Sequence, residues 1–146
     1  MKNDPVKAHV LSVKIIPNVD LDLAESLKLQ PNQKSLGLIT ADIDDVSYTA
    51  IDEATKKADV QVVYARSMYA GSSNASTKLA GEFIGILAGP NPAEIRSGLD
   101  AAVDFITNGA CFYSANDEDN ITYYAHCISR TGSYLSKVAG IPEGEA

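Results

Sequence analysis

Apolar and polar positions alternate along this chain in runs that predict short strands separated by amphipathic helices. A two-residue period or a short unbroken apolar run is typical of a strand, and a spacing of three to four is typical of a helix. The pattern predicts strands at 10–16, 35–40, 60–64, 83–87 and 121–128, and helices at 20–29, 45–58, 92–108 and 131–138.

The third of these helices is the best marked in the sequence. Asn91 is a favourable N-cap, Pro92 suits the first helical position, and Glu94 completes a capping pattern. Asn108 and Gly109 end the helix. The helix before it carries a narrow stripe of small apolar residues, so we expect it to pack close to a sheet.

The elements follow one another in the order β-α-β-α-β-loop-β-α-loop-β-α, with loops at 67–79 and 111–120. This order predicts an α/β (α+β) domain of the ferredoxin-like kind, with helices on one face of a mixed or antiparallel sheet. The sequence has neither G-x-G-x-x-G after a strand nor a P-loop motif, so a Rossmann or nucleotide-phosphate-binding domain is not expected.

A short stretch near the start of the chain is repeated near its end. Residues 7–13 and 124–130 share an Ala-His pair, a serine three residues after the histidine, and an aliphatic residue before that serine. A repeat at a domain-sized spacing indicates a tandem array of one fold. We therefore expect a complete domain at 1–108 and, at 109–146, the opening part of a second, truncated copy.

Composition narrows the classes of function. The chain has 146 residues, 45% of them hydrophobic, which is enough for one globular core. A formal net charge of −7 argues against nucleic acid as a partner, because neutralising phosphates needs clustered Lys and Arg. No apolar run approaches the length of a membrane span, and the first residues lack the apolar core of a signal peptide, so we expect a cytosolic protein and no membrane partner.

Catalytic chemistry is poorly represented. The two histidines fall inside predicted strands at equivalent repeat positions, where a structural role is the ordinary one. No nucleophile, zinc-ligand or cofactor motif is present, so we expect no catalytic residue, no metal and no cofactor. Cys111 and Cys127 lack the spacing of a redox or metal motif and are expected to be reduced.

Acidic residues cluster where a predicted strand meets a predicted helix. Asp42, Asp44 and Asp45 lie at this junction, and Glu82 precedes another buried strand. One interpretation is that Asp44 or Asp45 caps the helix and that Glu82 is a solvated strand end. The other is that the surplus carboxylates bind a small organic cation, since Mg²⁺ or Ca²⁺ would need more oxygen ligands than this stretch provides.

Both predicted loops place aromatic residues among small ones, at 66–71 and at 110–114. These aromatic residues either form a local packing cluster or project into an interface or a gated opening.

Several long stretches resemble the tandem shell proteins of the ethanolamine-utilization bacterial microcompartment. The likeness runs from about residue 11 to residue 146, which corresponds to the N-terminal two-thirds of such a protein. Its motifs are the stretches 34–42, 44–46, 52–56, 63–71, 88–94 and 129–136.

The resemblance implies a circularly permuted shell domain of ferredoxin-like type, followed by the start of a second copy. It also implies that three chains form a pseudo-hexagonal tile, which joins other copies and other shell proteins in a sheet. Tyr69 and Phe112 match the loops that gate a central pore. Asp44, Asp45 and Glu82 match the acidic positions of small pores that bind ethanolamine.

Three functions are compatible with these features. The favoured one is a structural, non-enzymatic shell component in a cytoplasmic microcompartment, with pores for substrates or cofactors. The alternative is a regulatory small-molecule-binding module of ferredoxin-like fold. An enzyme that acts on a small amine through the same carboxylates is disfavoured by the missing nucleophile, metal cluster and cofactor fingerprint.

Overall fold

The computed structural model of the protein describes residues 1–68, 82–118, 121–124, 126, 128 and 130–144. The strands are β1 (Pro5–Val6), β2 (Val10–Ile16), β3 (Ser35–Ala41), β4 (Gln61–Met68), β5 (Glu82–Gly89), β6 (Phe112–Ser114) and β7 (Thr122–Tyr124). The helices are α1 (Leu21–Ser26), α2 (Asp44–Lys57), α3 (Pro92–Asp104) and α4 (Ser133–Ala139), and a π-helical turn (Phe105–Gly109) extends α3.

Two antiparallel sheets organise the described residues. Strands β2, β3, β5 and β4 form one sheet in that order, and β1, β6 and β7 form the other. Helices α2 and α3 pack against each other and against the four-stranded sheet. The predicted α/β sandwich with an antiparallel sheet is therefore confirmed.

Close packing of α3 on the sheet depends on a glycine in strand β3. A Cβ at Gly37 would lie 2.7 Å from Cγ2 of Ile95 and 3.0 Å from Leu99, so any larger side chain would push α3 away. The core of fully buried aliphatic and aromatic side chains lies between sheet and helices and includes Ile39, Val46, Ile51, Phe83, Leu87, Ile95, Leu99 and Ile106.

Parts of both predicted loops form strands instead. Strand β4 continues to Met68, because Ser67 and Met68 pair with Phe83 and Glu82. Residues 112–114, predicted as loop, form β6, which β1 and β7 flank on its two sides. The rest of the first loop, residues 69–79, lies outside the described residues.

Neither histidine lies in a strand, contrary to the prediction. His9 precedes β2 and bonds to Asp42, and His126 follows the shorter strand β7. The ring of His126 stacks on Tyr124 at 6.0 Å. Cys111 is a half-buried free thiol, and Cys127 lies outside the described residues.

The segment after β7 returns to α2 through a buried carboxylate. Asp52, which is 1% exposed, accepts hydrogen bonds from the backbone N–H groups of Gly132 and Leu135, both at 2.8 Å. The neighbouring Thr55 Oγ1 accepts a bond from the N–H of Ser133 at 3.1 Å. These bonds satisfy N–H groups at the start of α4 that have no partner within the helix, and they join α4 to α2.

The approach of α4 to α2 allows no side chain at position 132. A Cβ on Gly132 would lie 2.6 Å from the carbonyl oxygen of Asp52 and 2.8 Å from its Oδ1. Segment 130–144 therefore packs on the region predicted as the first domain, while the division at 108/109 stays a prediction.

We predict that Asp52→Ala lowers the free energy of unfolding by about 2–4 kcal/mol, because it leaves one buried and one half-buried N–H donor without an acceptor. Urea denaturation followed by circular dichroism measures this change. Asp100→Ala, at an exposed position of α3, is the matched control and should change stability by less than about 0.5 kcal/mol. Equal effects of the two substitutions would contradict the role given to Asp52.

Candidate functional site

Three of the predicted site residues come from two segments that end at the same edge of the four-stranded sheet. Strand β3 ends at Ala41, which pairs with Phe83 of β5. Glu82 is the next residue beyond this pair on β5, and on the other strand the chain turns at once into α2, which begins at Asp44. The register therefore brings Asp44, Asp45 and Glu82 to one end of the sheet.

The predicted capping role of Asp44 or Asp45 was wrong. Ile43 occupies the N-cap position of α2, and its side chain makes no capping hydrogen bond. Asp44 and Asp45 instead lie in the first turn, where Oδ1 of Asp44 accepts the N–H of Asp45 at 2.9 Å. Both carboxylates lie near the N-terminal, positive end of the helix dipole.

Asp42 makes hydrogen bonds that hold the fold together. Its Oδ1 accepts the backbone N–H of His9 at 2.6 Å, and its Oδ2 contacts the Nδ1 of the same residue at 2.9 Å. The side chain of Asp42 is only 12% exposed, whereas that of His9 is 74% exposed. This pair fixes the chain before β2 to the end of β3, and it leaves Asp44 and Asp45 as the carboxylates of the first helical turn.

Asp45 has a perturbed acidity. Burial of the carboxyl group, and secondarily the negative charge of Asp44, raise its pKa above the ordinary value for aspartate. Although Asp45 is the more exposed residue of the two, its neighbours still remove water from the carboxyl group. An opposite charge beside the carboxyl group would lower its pKa again, because it favours the ionised form.

A tyrosine that the sequence analysis did not single out lies against α2, one helical turn beyond Asp45. Tyr124 of β7 donates a hydrogen bond from its hydroxyl group to Oγ1 of Thr49 on α2, at 3.2 Å. Burial is the main cause that raises the pKa of Tyr124, and the charge of Asp45 is a smaller one. Only the pairing of β6 with β7 and the return of the chain to α2 place Tyr124 here, so no local motif could have revealed it.

Of the two aromatic residues predicted to gate a pore, only Phe112 lies within the described residues. Phe112 lies in β6, is 7% exposed and stacks on Tyr124 with ring centroids 5.2 Å apart. Tyr69 lies outside the described residues. A gating role for either residue stays a prediction, and for Phe112 it would require β6 to leave the core.

Among the described residues, no group of three or more His, Cys, Asp or Glu side chains is arranged to hold a metal ion. Within the same residues, no helix is long and apolar enough to cross a membrane.

The comparisons with known proteins agree with this architecture. Residues 35–116 match the family model of the BMC domain. The chain is 70% identical over 146 residues to the bacterial microcompartment shell protein EutL of Clostridium perfringens, and 54% identical over 142 residues to that of Salmonella typhimurium. It spans 67% and 65% of the lengths of these two relatives, and 100% and 97% of its own length is matched.

A solved structure of a related protein has the same fold as this chain. The crystal structure of the ethanolamine utilization protein EutL from Leptotrichia buccalis superposes on the chain with a TM-score of 0.92 at 66% sequence identity. The match covers 99% of this chain and 66% of that one.

We predict that Asp44→Asn lowers the pKa of Asp45 toward the ordinary aspartate value without fully restoring it, because burial is the larger cause. Carboxyl-carbon NMR titration measures the shift. A raised folded-state pKa means that the stability contributed by this group is present at low pH and is lost as pH rises through that pKa. An unchanged Asp45 titration in the variant would contradict the stated coupling.

Proposed function

The chain belongs to the BMC domain family, and we propose that it works as a structural subunit of a bacterial microcompartment shell. The curated relatives are named as shell proteins, and they match the chain over all or nearly all of its length. Their names describe a structural role, in agreement with the expectation that the chain is not an enzyme. The corresponding location is the shell of a microcompartment in the bacterial cytoplasm.

We infer that the subunit self-associates, as the resemblance to trimeric tandem shell proteins implies. Large apolar side chains on β2 and α1 support this inference. Leu11 is 52% exposed, Val13 is 42% exposed and Leu21 is 87% exposed, so contact with another copy would remove substantial apolar surface from water. Trimers that tile with one another and with other shell proteins would account for this surface.

We further propose that the acidic end of the sheet binds small protonated amines, with ethanolamine as the guest. The observation that carries this proposal is the convergence of Asp44, Asp45 and Glu82 at one end of the sheet, with Asp45 already perturbed by burial and by a like charge. An ammonium group beside carboxylates makes charge-assisted hydrogen bonds that a neutral alcohol does not.

The alternative, a free regulatory module of the same fold, would use the same carboxylates but would have no need to form symmetric tiles. Self-association therefore separates the two functions. The exposed apolar side chains of β2 and α1 favour the shell component.

We predict that the chain binds ethanolammonium more tightly than ethylene glycol and that Asp45→Asn weakens the amine selectively, by about 1–2 kcal/mol. Isothermal titration calorimetry measures both affinities. Affinity for the amine should fall as pH drops through the raised pKa of Asp45, because the protonated carboxyl loses its charge. Asp22→Asn, an equal change of charge at an exposed position of α1, should leave binding unchanged.

Equal affinity for the amine and the diol, or equal binding by the Asp45→Asn and Asp22→Asn variants, would refute the amine site.

We predict that the protein sediments as an assembly of about three 15.5 kDa chains at micromolar concentration, or as larger tiles built from such units. Leu11→Ser combined with Val13→Ser should shift the distribution toward smaller species, because the exposed apolar surface of β2 is lost. Sedimentation velocity measures the distribution. A single monomeric species at every concentration tested would argue for the regulatory alternative.

A further inference from the structure

Residues 130–144, here called the strap, lie against the middle of α2 and are attached to it by polar bonds. The N–H groups of Gly132 and Leu135 both donate to the Asp52 carboxylate at 2.8 Å. These N–H groups belong to the cap and the first turn of α4, where a helix offers no acceptor of its own. Asp52 is therefore the acceptor on which they depend.

Two further residues of the same stretch of α2 complete the attachment. Thr55 accepts the N–H of Ser133 at 3.1 Å, and Nζ of Lys56 donates to the carbonyl oxygen of Arg130 at 2.6 Å. Because Thr55 and Lys56 follow Asp52 by three and four residues, the three side chains share one face of the helix. The strap is thus fastened to one short patch of α2.

Apolar packing adds little to this attachment. Among the seven residues of α4, all of them described, none is buried, whereas α2 has seven buried residues and α3 has four. Tyr134 contacts the core by stacking on Tyr48, with ring centroids 6.1 Å apart. Val138 and Ile141 are exposed. A segment with so few buried apolar contacts has a low local stability.

Open space borders the strap on two sides. A cleft of about 480 Å³ lies between it and α2, with Thr55 on one wall and Arg130 on the other. A second cleft, of about 310 Å³, lies between α4 and strand β4 and is lined by Tyr64 and Val138. Packed protein interiors leave few voids larger than a water molecule. Away from Gly132, the strap is therefore held by its bonds more than by close packing.

We propose that the strap is a conformational device that opens and closes as one unit on α2 while the four-stranded sheet and α3 stay folded. Closed, it covers the carboxylate of Asp52, and open, it exposes that carboxylate to water. Local opening of this kind needs less free energy than global unfolding. Because its bonds all end on one patch of α2, the loss of one bond loosens the others, and the strap opens cooperatively.

Native-state amide hydrogen exchange measured by NMR reports this opening directly, because the N–H groups of Gly132, Ser133 and Leu135 have their acceptors on α2. We expect the three amides to share one protection factor, about a hundredfold lower than that of the central amides of β5. Their protection should also change little in low concentrations of urea, since opening the strap exposes little surface.

Asp52→Asn replaces one acceptor oxygen with an NH₂ group, which has no lone pair to offer. We expect protection at Gly132, Ser133 and Leu135 to fall about ten- to hundredfold, because a hydrogen bond to a charged group is lost. Protection in β5 should not change, which also verifies that the variant is folded.

Thr55→Val tests whether the strap opens as a unit, because it removes the acceptor of Ser133 alone. A cooperative strap loses protection about three- to tenfold at Gly132 and Leu135 as well, although their own acceptor is intact. Thr107→Val, the same change at an exposed position after α3, is the matched control and should alter none of the three amides.

A common fall in protection at the three amides, with β5 unchanged, supports the strap. If Thr55→Val lowers protection at Ser133 alone, the segment frays residue by residue and the proposal is refuted. If the three amides of the unchanged protein match those of β5 in protection and in urea dependence, they open only in global unfolding, and the proposal is refuted as well.

Discussion

The buried carboxylate of Asp52 is the interaction on which the arrangement of the later chain depends. It joins the start of α4 to the middle of α2, at a contact that only glycine can make at position 132. Strand β7 pairs with β6 along its length, and the chain that follows β7 is anchored to Asp52. A buried carboxylate is costly unless it is hydrogen bonded, and each oxygen of Asp52 accepts one backbone N–H group.

Helix α2 therefore organises both the fold and the candidate site. Its first turn carries Asp44 and Asp45, its second turn carries Thr49, and its centre carries Asp52. Burial and, to a smaller extent, the charge of Asp44 in the same helical turn raise the pKa of Asp45.

The sequence predicts local structure and the order of elements well, because both depend on nearby residues. The helix that starts after Asn91 has its cap and its proline in the predicted places, and Asn91 accepts the N–H of Glu94 at 2.9 Å. The antiparallel sheet followed from the order of elements. The acidic cluster at the strand–helix junction was predicted because its aspartates are near neighbours in the sequence.

Most of the parts that the sequence did not predict depend on long-range pairing. Residues 112–114 looked like a loop because a three-residue strand is too short to show a period, yet β1 and β7 supply its partners. Ile43 rather than an aspartate became the N-cap because the carboxylates lie one and two residues too late. Tyr124 and Gly132 depend on contacts with α2 across more than seventy residues of chain, which no local pattern records.

The most direct test of the amine-binding account is a crystal structure of the chain with ethanolammonium chloride. The account predicts an ammonium nitrogen about 2.7–3.1 Å from a carboxylate oxygen of Asp45. An ammonium group seated elsewhere, for example in the 480 Å³ cleft beside Lys56 and Arg130, with the carboxylates of α2 left to solvent, would contradict it.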